Sequence, residues 1–236
     1  MTGRPSTLQL VGGTLAGDVL HRLRTDIISV TLKPGERLRF ETLRALYGAS
    51  FSTLREALAC LVAEQLVVSE GQKGFRVAPV SKDDLLDLTE VRIMVEKEAL
   101  SRSITAGDDY WEAKVLGDFH RMDRLEARLG DQHYLSPQWA IVHSEFHHSL
   151  VAACGSPTLL DIRLKLFERA RRYRRMSSQF RNTVRDKDAE HRAILEAAIG
   201  RHARLATQLL ELHIRQTTEN VLKFASHLFE NDSEPG

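Results

Sequence analysis

The sequence predicts a mainly α fold in two domains: a small N-terminal domain of three helices and a β-hairpin over residues 1–79, and an all-α helical bundle over residues 80–236. Three observations predict it. Apolar residues recur at steps of three and four along most of the chain, the period of a helix with one buried face. Only the stretch around residues 66–78 breaks into two short β-prone runs about a glycine-containing turn. Pro79 then interrupts the pattern just before Ser81-Lys82-Asp83-Asp84, a helix start with an acidic first turn, and no strand pattern follows it.

Taken in order, Leu15, Val19, Leu23, Ile27 and Val30 mark a first helix over 14–30, with Thr14 able to cap it. Lys33-Pro34-Gly35-Glu36 is a turn. A short helix follows from Phe40 to Tyr47 and ends at Gly48. Another runs from Ser52 to Glu64 on an apolar face of Leu54, Ala57, Leu58, Leu61 and Val62, with Ser50 or Ser52 as its cap. Residues 66–69 and 75–78, joined across Gly71-Gln72-Lys73-Gly74, make the hairpin. Helix, helix, helix, hairpin is the order of a winged helix-turn-helix. Beyond Pro79, helical periods place helices near 81–106, 109–129, 136–153, 157–180, 184–199 and 201–228, with a softer joint at 179–185.

Composition narrows the function classes. With 42% hydrophobic and 28% charged residues, the chain has enough apolar matter for a core. No apolar run approaches the roughly 20 residues that span a bilayer. Met1 to Leu10 lacks the apolar stretch of a secretion signal, so no membrane partner and a cytoplasmic location are expected. Cys60 and Cys154 sit in apolar helical patterns far from each other and read as buried, reduced thiols. Ten Lys and Arg against seven Asp and Glu in residues 1–80 give +3, and 23 against 25 in the remainder give −2. A basic head on an acidic body suits a DNA-binding module joined to something else.

The candidate DNA contacts crowd the start of the third helix. A recognition helix enters the major groove with its N-terminal residues toward the base edges. Ser50, Ser52 and Thr53 offer short hydroxyls there, and Arg55 can fork onto guanine or a phosphate. Arg37 and Arg39 precede the second helix and can grip the backbone, while Gln72, Lys73 and Gly74 form a small basic hairpin tip suited to a minor groove. Alternatively, Arg55 forms a surface ion pair with Glu56 or Glu64.

The helical part holds the second candidate site. His143 and His147 share one helix face with Leu150 and Cys154; His191 precedes Ile194 and Leu195 on another helix; His213 follows Ala206, Leu209 and Leu210 on a third. Each imidazole alone reads as a hydrogen-bonded core residue. Converged, the four would suit a divalent ion, and nitrogen donors suit Zn or Ni. Glu145 lies two residues after His143, so the zinc-protease spacing is absent. Arg92 lies on the stripe Leu85, Leu88, Arg92, Glu96, Ala99, where a buried cation needs Glu96 or a bound anion. The run Arg171-Arg172-Tyr173-Arg174-Arg175 can turn a second cation inward.

Several motifs carry a resemblance. Ile28 to Leu38 with Pro34-Gly35, then Gly48-Ala49-Ser50, Leu54-Arg55-Glu56-Ala57-Leu58, Leu61 to Val67 and Gly74-Phe75-Arg76-Val77 resemble the GntR family of bacterial transcription regulators. Thr31 stands where that family usually has Gly, Phe51 where an Arg is usual, and Thr53 where Pro is common. The family's usual base contact is therefore not carried by position 51. Residues 81–225 resemble the FCD ligand-binding domain of the FadR subfamily, through His143 to His147, Glu190-His191 with Ile194 to Ile199, and His213. The resemblance implies a divalent metal at His143, His147, His191 and His213. His143 replaces the usual Asp, which favours Zn or Ni over Mg or Ca. It also implies an effector pocket near the metal, lined here by Arg92, to which the inward-turning run adds Arg172 and Tyr173 as candidates. Gln72 to Ala78, Trp111-Glu112-Ala113 and Arg172-Tyr173-Arg174 are similar to the carbon-starvation-induced branch, whose ligand is a small dicarboxylate of the glutarate type.

The reading is a regulator, not an enzyme: a winged helix-turn-helix plus an FCD helical bundle, acting as a homodimeric repressor on a pseudo-palindromic double-stranded DNA operator. A small carboxylate effector, a dicarboxylate among the candidates, would control it. The rivals are a metal-dependent hydrolase using the histidine cluster and an adaptor that uses the winged helix for protein contact.

Overall fold

The computed structural model describes residues 15–180 and 187–229. The chain divides into two compact units, within residues 1–79 and 80–236. The first unit holds α1 (Leu15–Ile28), β1 (Arg37–Leu38), α2 (Phe40–Tyr47), α3 (Phe51–Ala63), β2 (Val67–Ser69) and β3 (Phe75–Val77). The second holds α4 (Lys82–Ala106), α5 (Asp109–Leu129), α6 (Pro137–Val151), α7 (Pro157–Arg169), α8 (Arg171–Phe180), α9 (Lys187–Ile199) and α10 (Ala203–Phe224). Short 3-10 turns occupy Gly71–Lys73, Gly130–Leu135 and Ser226–Leu228. No described helix is long and apolar enough to cross a membrane.

In the first unit, Leu23, Ile27, Leu43, Leu54, Leu58 and Leu61 bury the facing sides of its three helices. Arg22 donates to the carbonyls of Leu46 and Tyr47 at the end of α2, and the Tyr47 hydroxyl donates to Asp26 at 2.6 Å, so α1 holds α2 from its open end. Gly48 closes α2 in the left-handed region, at φ 64°. Strands β2 and β3 form the predicted hairpin, with Val68 opposite Arg76. A third strand, β1, adds to β3 on its other side, giving the order β1-β3-β2. With two residues, β1 is too short to show an alternating pattern.

The glycine-like position before the Pro34 turn is not Thr31, as the motif comparison places it, but Val30, whose φ is 62°. Helix α1 stops at Ile28, and Leu32 donates back to the Asp26 carbonyl, so the chain must turn left-handed at residue 30. Val30 therefore carries the strain that a glycine would avoid. The predicted start at Thr14 lies outside the described residues.

Serine and aspartate caps set the starts of the long helices in the second unit. Ser81 accepts from Asp84 N, Asp108 from Trp111 N, Ser136 from Trp139 N and Ser156 from Leu159 N. Pro137 and Pro157 stand at the first helical position, where their missing N–H costs nothing. Leu100, Ile104, Trp111, Phe119, Phe146, Leu150, Ile194, Leu210 and Ile214 form the core. Gly107 is required because a Cβ there would lie 2.4 Å from the Trp111 ring.

The helix predicted over 157–180 is two helices, broken at Ala170. Arg174 turns inward across the break and donates through Nη1 to the Phe167 carbonyl at 2.6 Å, taking the place of a backbone donor. The joint expected at 179–185 lies largely outside the described residues. Cys154 is buried as expected, but Cys60 is exposed, because it falls outside the buried stripe 54, 57, 58, 61 of α3.

Candidate functional site

Helix α6 carries His143 and His147 one turn apart, and both side chains are buried. Helix α9 brings His191 and α10 brings His213 to the same place, also buried. One ring nitrogen from each of the four lies within 4.8 Å of the others. The Nε2 atoms of His147 and His191 stand 3.3 Å apart, and the ring centroids of neighbouring histidines are 4.5 to 5.3 Å apart. His213 donates through Nδ1 to Glu190 at 2.7 Å, which fixes its ring and makes Nε2 the nitrogen whose lone pair can ligate a metal. Burial, then the neighbouring imidazoles and Arg163, push the pKa of His147 well below its ordinary value, so its ring is held neutral and competent to bind a metal. The Nδ1 of His147 has no hydrogen-bond partner among the described residues.

Four imidazole nitrogens gathered this closely fit a borderline divalent cation. A metal–nitrogen bond of about 2.1 Å asks for donors roughly 3 to 4 Å apart. Glu145 is engaged elsewhere: it pairs with Arg121 of α5 at 2.9 Å, on a partly exposed surface.

Behind the histidines lies Phe167 of α7, its ring centroid 6.3 Å from His143 and 5.6 Å from His147. Three guanidinium groups gather on that ring, those of Arg174, Arg163 and Arg92, at 3.8, 4.3 and 5.1 Å from its centroid. One buried carboxylate bonds two of them, and Glu168 adds its charge near Arg163 and Arg174. Glu96 accepts from Arg92 at 2.7 Å and from Arg163 at 3.3 Å. Burial raises the Glu96 pKa, but the charges of Arg163 and Arg92 outweigh it and hold the carboxyl below the usual carboxylate range. Burial lowers the pKa of Arg163 and Arg174, the mark of cations short of counter-charge. Arg163 is fully buried, and its Nη1 has no hydrogen-bond partner among the described residues.

Arg92 and Arg174 also line a small cavity with Thr89, Tyr173, Thr217 and Thr218. It measures about 10 Å³, room for a single water. Of the two α8 residues predicted for the pocket, Tyr173 lines it, while its hydroxyl donates to Asp84 at 2.8 Å. Arg172 is buried, with its guanidinium 5.9 Å from the Tyr173 ring, and is not among the lining residues. Arg174 takes that place, because the break at Ala170 turns the register of α8. Arg163 and Phe167 gave no signal in the sequence beyond lying in a helical pattern.

In the first unit, Ser50 is the cap of α3. Its hydroxyl accepts from Thr53 N at 3.2 Å and meets the hydroxyls of Ser52 and Thr53, each at 2.9 Å. Ser52 and Arg55 are exposed at that helix end, and no ion pair holds Arg55 among the described residues; Glu64, its alternative partner, is paired with Arg24. Arg39 is exposed just before α2, and Arg37 is exposed with Glu70 at 4.0 Å. Lys73 is exposed at the hairpin tip, beside Gly74, which takes φ 92° to close it. The Gln72 side chain lies outside the described set.

Residues 15–77 match bacterial regulatory proteins of the gntR family, and residues 87–216 match the FCD domain. The chain belongs to the GntR family. This regulator is 39% identical to the HTH-type transcriptional regulator BphR of Paraburkholderia xenovorans over 86% of its own length and 84% of that protein's. It is 38% identical to the HTH-type transcriptional repressor GlaR of Escherichia coli, over 81% and 89% of the two chains. Among solved structures, Escherichia coli McbR/YncC shares its fold with a TM-score of 0.68 at 20% identity, covering 90% of this chain and 99% of that one. A GntR-type regulator from Rhodococcus does so with 0.67 at 22% identity, covering 88% and 97%. The regulator is thus a DNA-binding transcription factor with an N-terminal winged helix-turn-helix and a C-terminal helical FCD domain. It is not an enzyme, and the hydrolase alternative has no support among these relatives.

Proposed function

We propose that the regulator is a cytoplasmic, homodimeric repressor. On this reading its operator affinity is set by a small carboxylate held between a divalent metal at His143, His147, His191 and His213 and the arginines on Phe167. The observation that carries this reading is the shared wall. Phe167 has His143 and His147 beside it and three guanidinium groups around it, with Glu96 the carboxylate hydrogen-bonded to two of them. A metal and arginines divide the oxygens of one carboxylate well. The surplus of cations over Glu96 favours a second carboxylate on the same molecule, hence a dicarboxylate. Zn or Ni suits four imidazoles better than Mg or Ca.

The pocket has room for one water, so a diacid enters only as α8 moves off α4 and α10. A ligand that binds the opened form better shifts the population toward it, and that shift is the signal to the DNA-binding domain. Arg92, Tyr173 and Arg174 hold the effector; Arg172 supports Tyr173.

Arg37, Arg39, Ser52, Thr53, Arg55 and the tip Gln72-Lys73-Gly74 contact DNA, with Ser50 holding the end of α3 whose amides face a phosphate. Dimerisation through the helical domain is supported by α4 and α10, which are tied by Lys97–Glu211 and Arg215–Glu90 and expose Met94 (64%) and Leu212 (63%). A two-fold dimer reads a pseudo-palindromic operator. The repressor assignment follows the name that GlaR bears.

Elemental analysis of the purified full-length chain tests the metal site. One zinc or nickel per chain, lost in His147→Ala, is expected. A metal-free chain that takes up neither ion on dialysis against it would contradict the reading.

A further inference from the structure

The first residue of α3 is an aromatic that the hydrophobic core does not use. Phe51 is 51% exposed, while the core side of the helix is made by Leu54, Ala57, Leu58 and Leu61. Its ring is nevertheless fixed in place. It stacks on Phe40, the first residue of α2, with centroids 4.1 Å apart and planes at 28°. Phe40 meets Phe75, the first residue of β3, edge-on at 6.1 Å. Phe40, itself buttressed by Phe75, thus holds Phe51 with part of its surface open to solvent. Its neighbours at that helix end are polar: the hydroxyls of Ser50, Ser52 and Thr53, and exposed Arg55.

The floor of the major groove offers such a ring one apolar complement. Guanine, cytosine and adenine carry no methyl group there, whereas thymine adds its C5-methyl group. An immobilised ring loses little freedom on contact, so methyl burial is not offset by an ordering cost. We propose that Phe51 is a base-reading residue whose exposed ring surface packs against the C5-methyl of a thymine in the operator. The inference rests on the reading that the start of α3 enters the major groove. It replaces a guanine contact, available to an Arg at this position, with a thymine contact.

The test begins with a duplex selected from a random pool by the full-length wild-type protein. Each thymine is then replaced singly by deoxyuridine, which removes the methyl group and leaves every hydrogen-bonding atom. Fluorescence anisotropy at one salt concentration measures wild type and Phe51→Ala on each duplex. At one thymine or more, wild type should lose about fourfold in affinity, the worth of one buried methyl. Phe51→Ala should bind the thymine and deoxyuridine duplexes equally. Its unchanged affinity for an unrelated duplex shows that the domain is folded. Phe51→Arg, carried through a fresh selection, should prefer guanine at the same position. Wild type indifferent to every deoxyuridine overturns the inference and needs no variant; so does Phe51→Ala losing the same factor as wild type. If wild type selects no duplex, helix α3 does not read DNA, and the inference falls together with that reading.

Discussion

Two sets of arginines, one in each domain, stand in opposite settings. In the winged domain, Arg37, Arg39 and Arg55 are exposed, and the one ion pair among them is stretched to 4.0 Å. In the helical domain, Arg92 and Arg163 are buried and Arg174 partly so, all three against one phenyl ring with a single carboxylate between two of them. Exposed cations keep their hydration until a polyanion arrives, and they serve it as a salt-sensitive, long-range attraction. Buried cations have already lost theirs, and only a counter-charge at contact distance compensates. The first arrangement suits a partner that is large and uniformly charged. The second suits a small anion whose charges must match in number and position.

Breaking the buried set should give the largest effect. Glu96→Gln removes the buried carboxylate that bonds Arg92 and Arg163 and should cost about 3 to 5 kcal/mol in urea unfolding. The same variant should alter the acid limb of the stability curve. The Glu96 carboxyl is held below its ordinary value in the folded chain, so its contribution is complete above that value and is lost as pH falls through the folded one. Wild type should therefore lose this stability in acid, and the variant should lack that part of the decline.

The metal should come next in size. Free zinc or nickel at a hundredfold excess over its Kd should add about 2.7 kcal/mol to wild-type stability, and nothing to His147→Ala. Thermal unfolding with and without a chelator measures it. On the exposed side of the comparison, Arg55→Ala should weaken binding to the selected duplex by about 1 to 3 kcal/mol while leaving unfolding unchanged. An Arg55→Ala variant that unfolds like Glu96→Gln would erase the distinction between the two settings. The smallest effect belongs to the strained turn. Val30→Gly should stabilise the chain by about 1 kcal/mol, and Thr31→Gly should not, because only residue 30 takes the left-handed conformation.

Legibility in the sequence followed the distance over which each feature is decided. Helices α2 and α3, the hairpin and the cap at Ser81 depend on neighbours within a few residues, and local signals located them, while the caps at Ser136 and Ser156 were not singled out. The pairing of His143 with His147 is one helical turn and was equally plain. Their meeting with His191 and His213 could be suggested only because each lies on an apolar stripe. Phe167 and Arg163 sit on a helix whose pattern gives no hint of the charges gathered on it. Nor does the pattern show the break at Ala170, since apolar spacing runs through it and a side chain, Arg174, supplies the missing donor. The turn after α1 shows a third limit: the motif suggested residue 31, and backbone geometry selects residue 30.

The central claim is that a ligand in the helical domain controls the affinity of the winged domain for DNA. Anisotropy titration of the full-length chain on its selected duplex, with nickel and a five-carbon diacid added singly and together, tests it most directly. The account predicts that affinity falls by about tenfold or more when both are present, within the usual range of allosteric coupling, and that His147→Ala abolishes the response. An affinity unchanged by every combination of zinc or nickel with small mono- and dicarboxylates would contradict it.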